Sequence, residues 1–228
     1  MQFPKKLIEG RLIKRYKRFL ADIELIGGEQ VTAHCPNTGS MITLIENSPR
    51  VWISPRDKEE GLKYTWEIVE NDGTLVTINT MLPNKLAQEA IENKKISELA
   101  MYNNIRREVK YGEENSRIDL LLDDVCYVEV KQVHLKRDKF GVFPDGVTSR
   151  GAKHLRELMI EIEKGNRAVM LYIIQREDVE GFALAKDIDP FYAETAALAK
   201  AKGVEFLAYK TKVSTEKLEI TEAVPIYF

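Results

Sequence analysis

Ser116-Arg117-Ile118-Asp119-Leu120-Leu121-Leu122, a turn of Asp123-Asp124-Val125, then Cys126-Tyr127-Val128-Glu129-Val130-Lys131: this run decides how the C-terminal half is read. Both flanking segments are apolar-rich and of strand length, and side chains along a strand alternate between its two faces. Arg117, Asp119 and Leu121 therefore share one face, and Ile118, Leu120 and Leu122 the other. In the second segment Glu129 and Lys131 share a face from which Val128 and Val130 point away. A three-residue turn sets Asp119 directly across from Glu129 with Cβ atoms ~5 Å apart, whereas a two-residue turn sends one of them to the opposite face.

Two carboxylates that close repel each other unless a cation lies between them, and hard oxygen donors suit Mg²⁺ or Mn²⁺ better than Zn²⁺. The candidate metal ligands are Asp119, Glu129 and the Val130 backbone carbonyl. Lys131, beside the ion, is set to orient or deprotonate a water, or to stabilise charge growing on a phosphate oxygen, which is the work of phosphodiester hydrolysis. The plainer alternative is a solvated hairpin with an ordinary Glu-Lys pair. Ile118, Leu120, Val128 and Val130 argue against it, because they mark interior strands where an unpaired acid is costly.

Around this hairpin the periodicity predicts a helix opening after Pro83, with Asn84 as N-cap and Leu86, Ala87, Ala90 and Ile91 at helical spacing through about Asn93. A strand follows over Ile105 to Lys110. Downstream come a helix over Ser149 to Lys164, a strand over Ala168 to Gln175, and a helix punctuated by Asp189 as N-cap, Pro190 at its first position and Gly203 past its end. Strand-like runs over Val204 to Tyr209 and Leu218 to Phe228 close the chain. On the Ser149 helix Leu155, Leu158, Met159 and Ile162 form the buried stripe, with His154 at its border on the side of Arg150.

The N-terminal third reads differently. Short strands over Leu12-Ile13, Arg18 to Leu25, Val31 to His34, Val51 to Ser54, Lys63 to Val69 and Leu75 to Asn79 are separated by Gly27-Gly28, Pro36-Asn37, Asn47-Ser48-Pro49 and Asn71-Asp72-Gly73, each suited to a tight reversal. So many strands in so short a span suit a small closed barrel, of which the OB type is the commonest polymer binder. The fold class expected is α/β (α+β), with one boundary near residue 82: a barrel over 1–82 and a second domain over 83–228.

Composition bounds the function. With 228 residues, 44% hydrophobic, the chain buries a real core; net charge is −2 and the pI about 6.0, so the protein is not a uniformly basic polyanion binder. A nucleic-acid surface must be local, and Lys5, Lys6, Arg11, Lys14, Arg15, Lys17 and Arg18 supply one in the first eighteen residues. Lys14-Arg15-Tyr16-Lys17-Arg18-Phe19 reads either as a charged surface strand or as one that neutralises phosphates while Tyr16 and Phe19 stack bases. The loop from His34 to Met41 reads first as a structural turn. Cys35 and Cys126 sit outside any disulfide or zinc spacing. No signal-peptide core and no bilayer-length apolar stretch is visible, so a cytoplasmic protein without membrane partners is expected.

An acid followed by acid-x-lysine on the next strand, here Asp119 and then Glu129-Val130-Lys131, resembles the PD-(D/E)xK phosphodiesterase superfamily. The helix-strand-strand-strand-helix-strand order around these residues is similar to its core, although Ile118 stands where the name-giving proline would be. Its accessory acid and polar groups map onto Glu89 and onto Lys153 or His154. The whole chain resembles the sugar fermentation stimulation protein (SfsA) family through Leu12 to Phe19, His34 to Met41, Glu108-Val109-Lys110-Tyr111-Gly112, Ser116 to Asp119, and Phe143-Pro144-Asp145 through Arg150-Gly151 to His154-Leu155-Arg156-Glu157-Leu158. The resemblance implies an OB-like barrel, a restriction-endonuclease-like αβββαβ domain and DNA as partner. Lys14, Arg15, Tyr16, Lys17, Arg18, Arg117, Arg150 and Lys153 are the candidate DNA contacts; Asp119, Glu129, Lys131, Glu89 and His154 are the candidate catalytic groups. Two rivals stand beside a Mg²⁺- or Mn²⁺-dependent nuclease: a DNA-binding regulator without turnover, and a carbohydrate-binding barrel. Oligomeric state is left open, a homodimer included.

Overall fold

The computed structural model describes residues 1–57, 60–114 and 116–228. Six strands open the chain: β1 (Ile8–Tyr16), β2 (Leu20–Leu25), β3 (Gln30–His34), β4 (Arg50–Pro55), β5 (Tyr64–Asn71) and β6 (Thr74–Thr77). Their order is β3-β2-β1-β4-β5-β6, and a parallel pairing of β3 with β5 closes β1 to β5 into a barrel. Alternation fills it: Leu12, Ala21, Ile23, Ala33, Val51, Ile53, Trp66 and Val69 form its core. The basic run departs from the expected strand. β1 ends at Tyr16, and Lys17 (φ 49°) and Arg18 (φ 66°) form the turn into β2 in the left-handed region.

The second part begins with α1 (Pro83–Glu92), a 3-10 turn at Ser97–Leu99, and the hairpins β7 (Ile105–Tyr111), β8 (Ser116–Leu122) and β9 (Cys126–Val133). It continues through β10 (Lys136–Arg137), β11 (Phe140–Phe143), α2 (Ser149–Glu163), β12 (Arg167–Ile174), β13 (Gly181–Leu184), α3 (Pro190–Ala201), β14 (Glu205–Val213), β15 (Leu218–Ala223) and β16 (Ile226–Tyr227). The central sheet runs β15-β14-β12-β9-β8-β7, with β9, β12 and β14 parallel. α1 packs on one face, where Leu86, Ala87, Ala90 and Ile91 meet Leu120, Leu122, Val128 and Val130. α2 and α3 cover the other, with Leu155, Leu158, Tyr192 and Ala196 against Met170, Tyr172 and Ile174.

Several local expectations change. Pro83 is the first residue of α1, Leu82 occupies the cap, and Asn84, expected as N-cap, lies inside the first turn with its side chain turned to Asp119. The last expected strand is two: β15 stops at Ala223, and after Pro225, which has no N–H for a ladder, β16 joins β10, β11 and β13 in a small sheet that periodicity did not reveal. Helix punctuation agrees with the sequence for α3, where Asp189 accepts from Tyr192 N; α2 is capped by Thr148, whose Oγ1 accepts from Gly151 N. Both cysteines are free and buried. Among the described residues no helix is long and apolar enough to cross a membrane.

Candidate metal centre

The β8–β9 hairpin has the register the sequence requires. Leu122 pairs with Cys126, Leu121 with Tyr127 and Leu120 with Val128, around a loop in which Asp123 (φ 46°) and Asp124 (φ 58°) reverse the chain. One further step of this register sets Asp119 against Glu129. At that step the ladder stops, because the Val130 N–H donates to Asp119 Oδ2 at 2.8 Å. In a strand a residue's N–H and C=O leave from the same edge, so the Val130 carbonyl also faces the β8 side. The strands part where the acids meet.

On β7, the strand paired to the other side of β8, Glu108 has φ 52°. It lies between the pairs Arg107–Leu120 and Val109–Ile118 and makes no regular pair itself, which places it across from Asp119. That irregularity accompanies a change of facing: Ile118, expected on the same face as Leu120 and Leu122, instead packs in the cluster beneath α2.

Four groups surround the acids. Asn84 Nδ2 donates to Asp119 Oδ1 at 2.7 Å. Lys131 Nζ donates to Glu129 Oε1 at 2.7 Å and lies 3.0 Å from His154 Nδ1. His154 Nδ1 also meets Glu129 Oε1, and its Nε2 lies 3.3 Å from Arg150 Nε. Glu129 is 2% exposed, and its Oε2 is buried with no hydrogen-bond partner.

Charge separates the two acids. Burial, and then the neighbouring Glu129 carboxylate, push Asp119 from 3.8 up to about 6, against the lowering pull of the Val130 N–H, Lys131 and Asn84. Burial also acts to raise Glu129, but Lys131 and His154 more than offset it and hold it below its ordinary value. A buried carboxylate oxygen without a donor, on a residue whose charge raises the pKa of a neighbouring acid, suits a hard divalent cation. Asp119, Glu129 Oε2 and the Val130 carbonyl are the groups suited to hold it. Among the described residues no cluster of three or more His, Cys, Asp or Glu side chains gathers in metal-binding geometry, so backbone and water would complete such a shell.

The remaining candidates divide. Glu89 is apart from this centre: its carboxylate accepts from the Met1 amino group at 2.6 Å, and Asn84 is the α1 residue that reaches Asp119. Lys153 donates to the Glu114 carbonyl, and Arg117 donates to the Glu108 carbonyl at 3.0 Å. In the basic run, Arg15 Nη2 donates to the carbonyls of Asn37 and Gly39, both at 2.9 Å, and so clips the loop before Met41. Tyr16 donates to Asp22 at 3.2 Å, with Lys14 3.4 Å from the same carboxylate. Lys17 and Arg18 remain exposed at the turn. Sequence reasoning missed Asn84 as a site residue and also missed Glu157, a fully buried acid on α2; its position three residues after His154, on the same helical face, was the available signal.

Comparison with known proteins gives a consistent picture. Residues 13–78 match the model described as the SfsA N-terminal OB domain, and residues 81–217 the one described as the sugar fermentation stimulation protein RE domain. A sugar fermentation stimulation protein homolog of Maricaulis maris is 55% identical over 220 residues, covering 94% of this chain and 93% of that one. A homolog from Geotalea uraniireducens is 53% identical over 225 residues, covering 97% of each. The solved structure of SfsA from Pyrococcus furiosus, described as a complex with Ca²⁺, superposes with a TM-score of 0.89 at 26% identity, over 100% of this chain and 98% of that one.

Proposed function

The chain belongs to the sugar fermentation stimulation protein family, and from that premise we propose that it is a DNA-binding protein with a Mg²⁺- or Mn²⁺-dependent phosphodiesterase centre at Asp119, Glu129 and Lys131. The observation that carries the reading is the buried, unpartnered Glu129 Oε2 beside an Asp119 that burial and its neighbour keep from ionising freely. The Ca²⁺ of the Pyrococcus furiosus protein is in keeping with a preference for hard cations in this fold.

The roles follow from the contacts. Asp119 Oδ2 is held on the Val130 N–H and Oδ1 on Asn84, which fixes the direction of the carboxylate. Glu129 is oriented by Lys131 and His154 through one oxygen, leaving the other for the ion. A bound divalent ion would supply Lewis-acid stabilisation and lower the pKa of a water. Lys131, released from part of its contact with Glu129 by that charge, would turn to a phosphate oxygen; Arg150 at the start of α2, with Lys17 and Arg18 on the barrel turn, would hold the polyanion nearby.

The test is cleavage of single-stranded, duplex and branched DNA by purified protein with Mg²⁺ or Mn²⁺. Wild type is expected to cut only with metal, and Asp119→Asn to lose at least ~100-fold. Equal behaviour of the two proteins on every substrate refutes the catalytic reading. One observation favours a second reading, DNA binding without turnover: Glu129 is 2% exposed and the Lys131 side chain only 14%, so the centre is largely covered. Salt-sensitive binding with no cleavage by wild type selects it.

A further inference from the structure

Tyr111 ends β7 on the edge strand of the sheet, yet it is 8% exposed and its hydroxyl is buried with no hydrogen-bond partner. Its ring lies 5.6 Å from that of Tyr127. Tyr127 and Glu129 alternate onto one face of β9, the face covered by α2 with Glu157 and Glu161, so the Tyr111 ring against Tyr127 lies among these carboxylates and that of Asp119 on the neighbouring strand. A phenol among four acids would ordinarily donate to one of them, since a buried O–H left unpaired is costly.

Most of the available oxygens are already in use. Glu157 Oε2 accepts from Glu113 N at 2.9 Å, and its Oε1 from Glu114 N at 2.6 Å. Glu161 accepts from Lys164 at 2.9 Å and from Asn166 at 2.8 Å. Asp119 uses one oxygen for Asn84 and the other for Val130. Glu129 Oε1 serves Lys131 and His154. Among the described residues, the carboxylate oxygen of this group without a donor is Glu129 Oε2, and the hydroxyl without an acceptor is Tyr111 Oη.

The chain builds this placement. Gly112 has φ 68°, and a Cβ there would lie 1.5 Å from Glu157 Oε2. The backbone reversal and the missing side chain let the Glu157 carboxylate sit under the turn after Tyr111. The phenol is thereby held inward by its own neighbours rather than left on the sheet edge.

We propose that Tyr111 is a water-positioning residue of the acid centre: its hydroxyl donates to one water that in turn donates to Glu129 Oε2. One water with a polar partner on each side satisfies both groups, and it stands where a divalent ion on Glu129 would draw it into its shell. The inference rests on the metal-centre reading only for that last role. The water bridge exists in metal-free protein as well, so the two fail separately.

Tyr111→Phe keeps the ring packing and removes only the oxygen. In chelator-treated protein it is expected to lower the Tm by about 2–4 °C, because the bridging water loses its donor. Combined with Glu129→Gln, the two losses are expected to be markedly non-additive, since both act on one water. With Mn²⁺ as the calorimetric probe, Tyr111→Phe should weaken binding about 3- to 10-fold and leave it measurable. A metal-free Tm equal to or above wild type, or strict additivity with Glu129→Gln, overturns the proposal. Failure of wild type to bind Mn²⁺ while the non-additivity persists upholds the water bridge and removes instead the metal reading of the centre.

Discussion

Asp119 is a residue whose service to the site costs stability. Its carboxyl titrates at about 6 in the folded chain against 3.8 when unperturbed, a difference of about 3 kcal/mol at one pK unit per 1.36 kcal/mol. The folded pKa is the higher one, so the native state binds more protons than the unfolded state between those values, and stability falls as pH rises through that window. Metal-free wild type is therefore expected to melt at a higher temperature near pH 5 than the trend of Asp119→Asn alone would give. At pH 7.5 the Asn variant should be the more stable by up to about 3 kcal/mol, and the gap should close toward pH 4. Thermal melts of both proteins in chelator across this range measure it. An Asn variant less stable than wild type at pH 7.5 would mean that the buried charge is compensated by something other than a cation.

At the scale of elements, α2 and the β7–β8 turn hold the centre together. His154, Glu157 and Glu161 recur at helical spacing as a buried polar stripe, and Glu157 fastens the turn through two backbone amides. Gly112 is the point where this fastening is most sensitive. Gly112→Ala meets both a left-handed φ and a carboxylate oxygen 1.5 Å from the new Cβ, whereas Gly73→Ala, at φ 77°, meets nothing within 4 Å. The Gly73 substitution is expected to cost about 1–2 kcal/mol from conformation alone, and the Gly112 substitution at least ~1–3 kcal/mol more, because a buried Glu157 must give up its bonds. Denaturant unfolding of the two variants compares them directly, and equal losses would show that Glu157 yields at no cost.

This scale also separates what sequence can and cannot reveal. The β8–β9 register was legible because a three-residue turn between two alternating segments allows one arrangement, and Asp119 follows from it. The caps of α3 were legible because Asp189, Pro190 and Gly203 each have a single local reason to be there. The small sheet of β10, β11, β13 and β16 was not, since strands of two to four residues paired across distant parts of the chain carry no period. Nor was the turn at Lys17 and Arg18, whose left-handed backbone runs against the preference of both residues. Glu89 was assigned by analogy with a helix position, and the shorter Asn84, five residues earlier on α1, makes the contact.

Over the whole molecule the barrel and the α/β domain share structure rather than merely adjoin. Trp52 and Ile68 of the barrel lie in one cluster with α1 and the central sheet. Thr77 N donates to Gln175 O at 3.2 Å, and Ser40 Oγ to the Asp145 carbonyl at 2.8 Å, so the barrel is tied to the end of β12 and to the segment that leads into α2. Arg18 lines the cleft formed there with Ser40, Asp145 and Thr148, and the Arg150 that follows reaches His154. A polyanion lying in this cleft would meet the barrel turn beside the start of α2. If Lys17 and Arg18 each neutralise one phosphate, the double variant Lys17→Ala/Arg18→Ala should reduce the slope of log K against log salt on duplex DNA by about 1.8, from ~0.9 per contact. Arg15→Ala is the informative contrast, because Arg15 is engaged with the Asn37 and Gly39 carbonyls: it should lower the Tm and leave the slope near that of wild type. An unchanged slope in the double variant would place the DNA path elsewhere, and a slope lost in Arg15→Ala instead would mean that its guanidinium exchanges those carbonyls for phosphate when DNA binds.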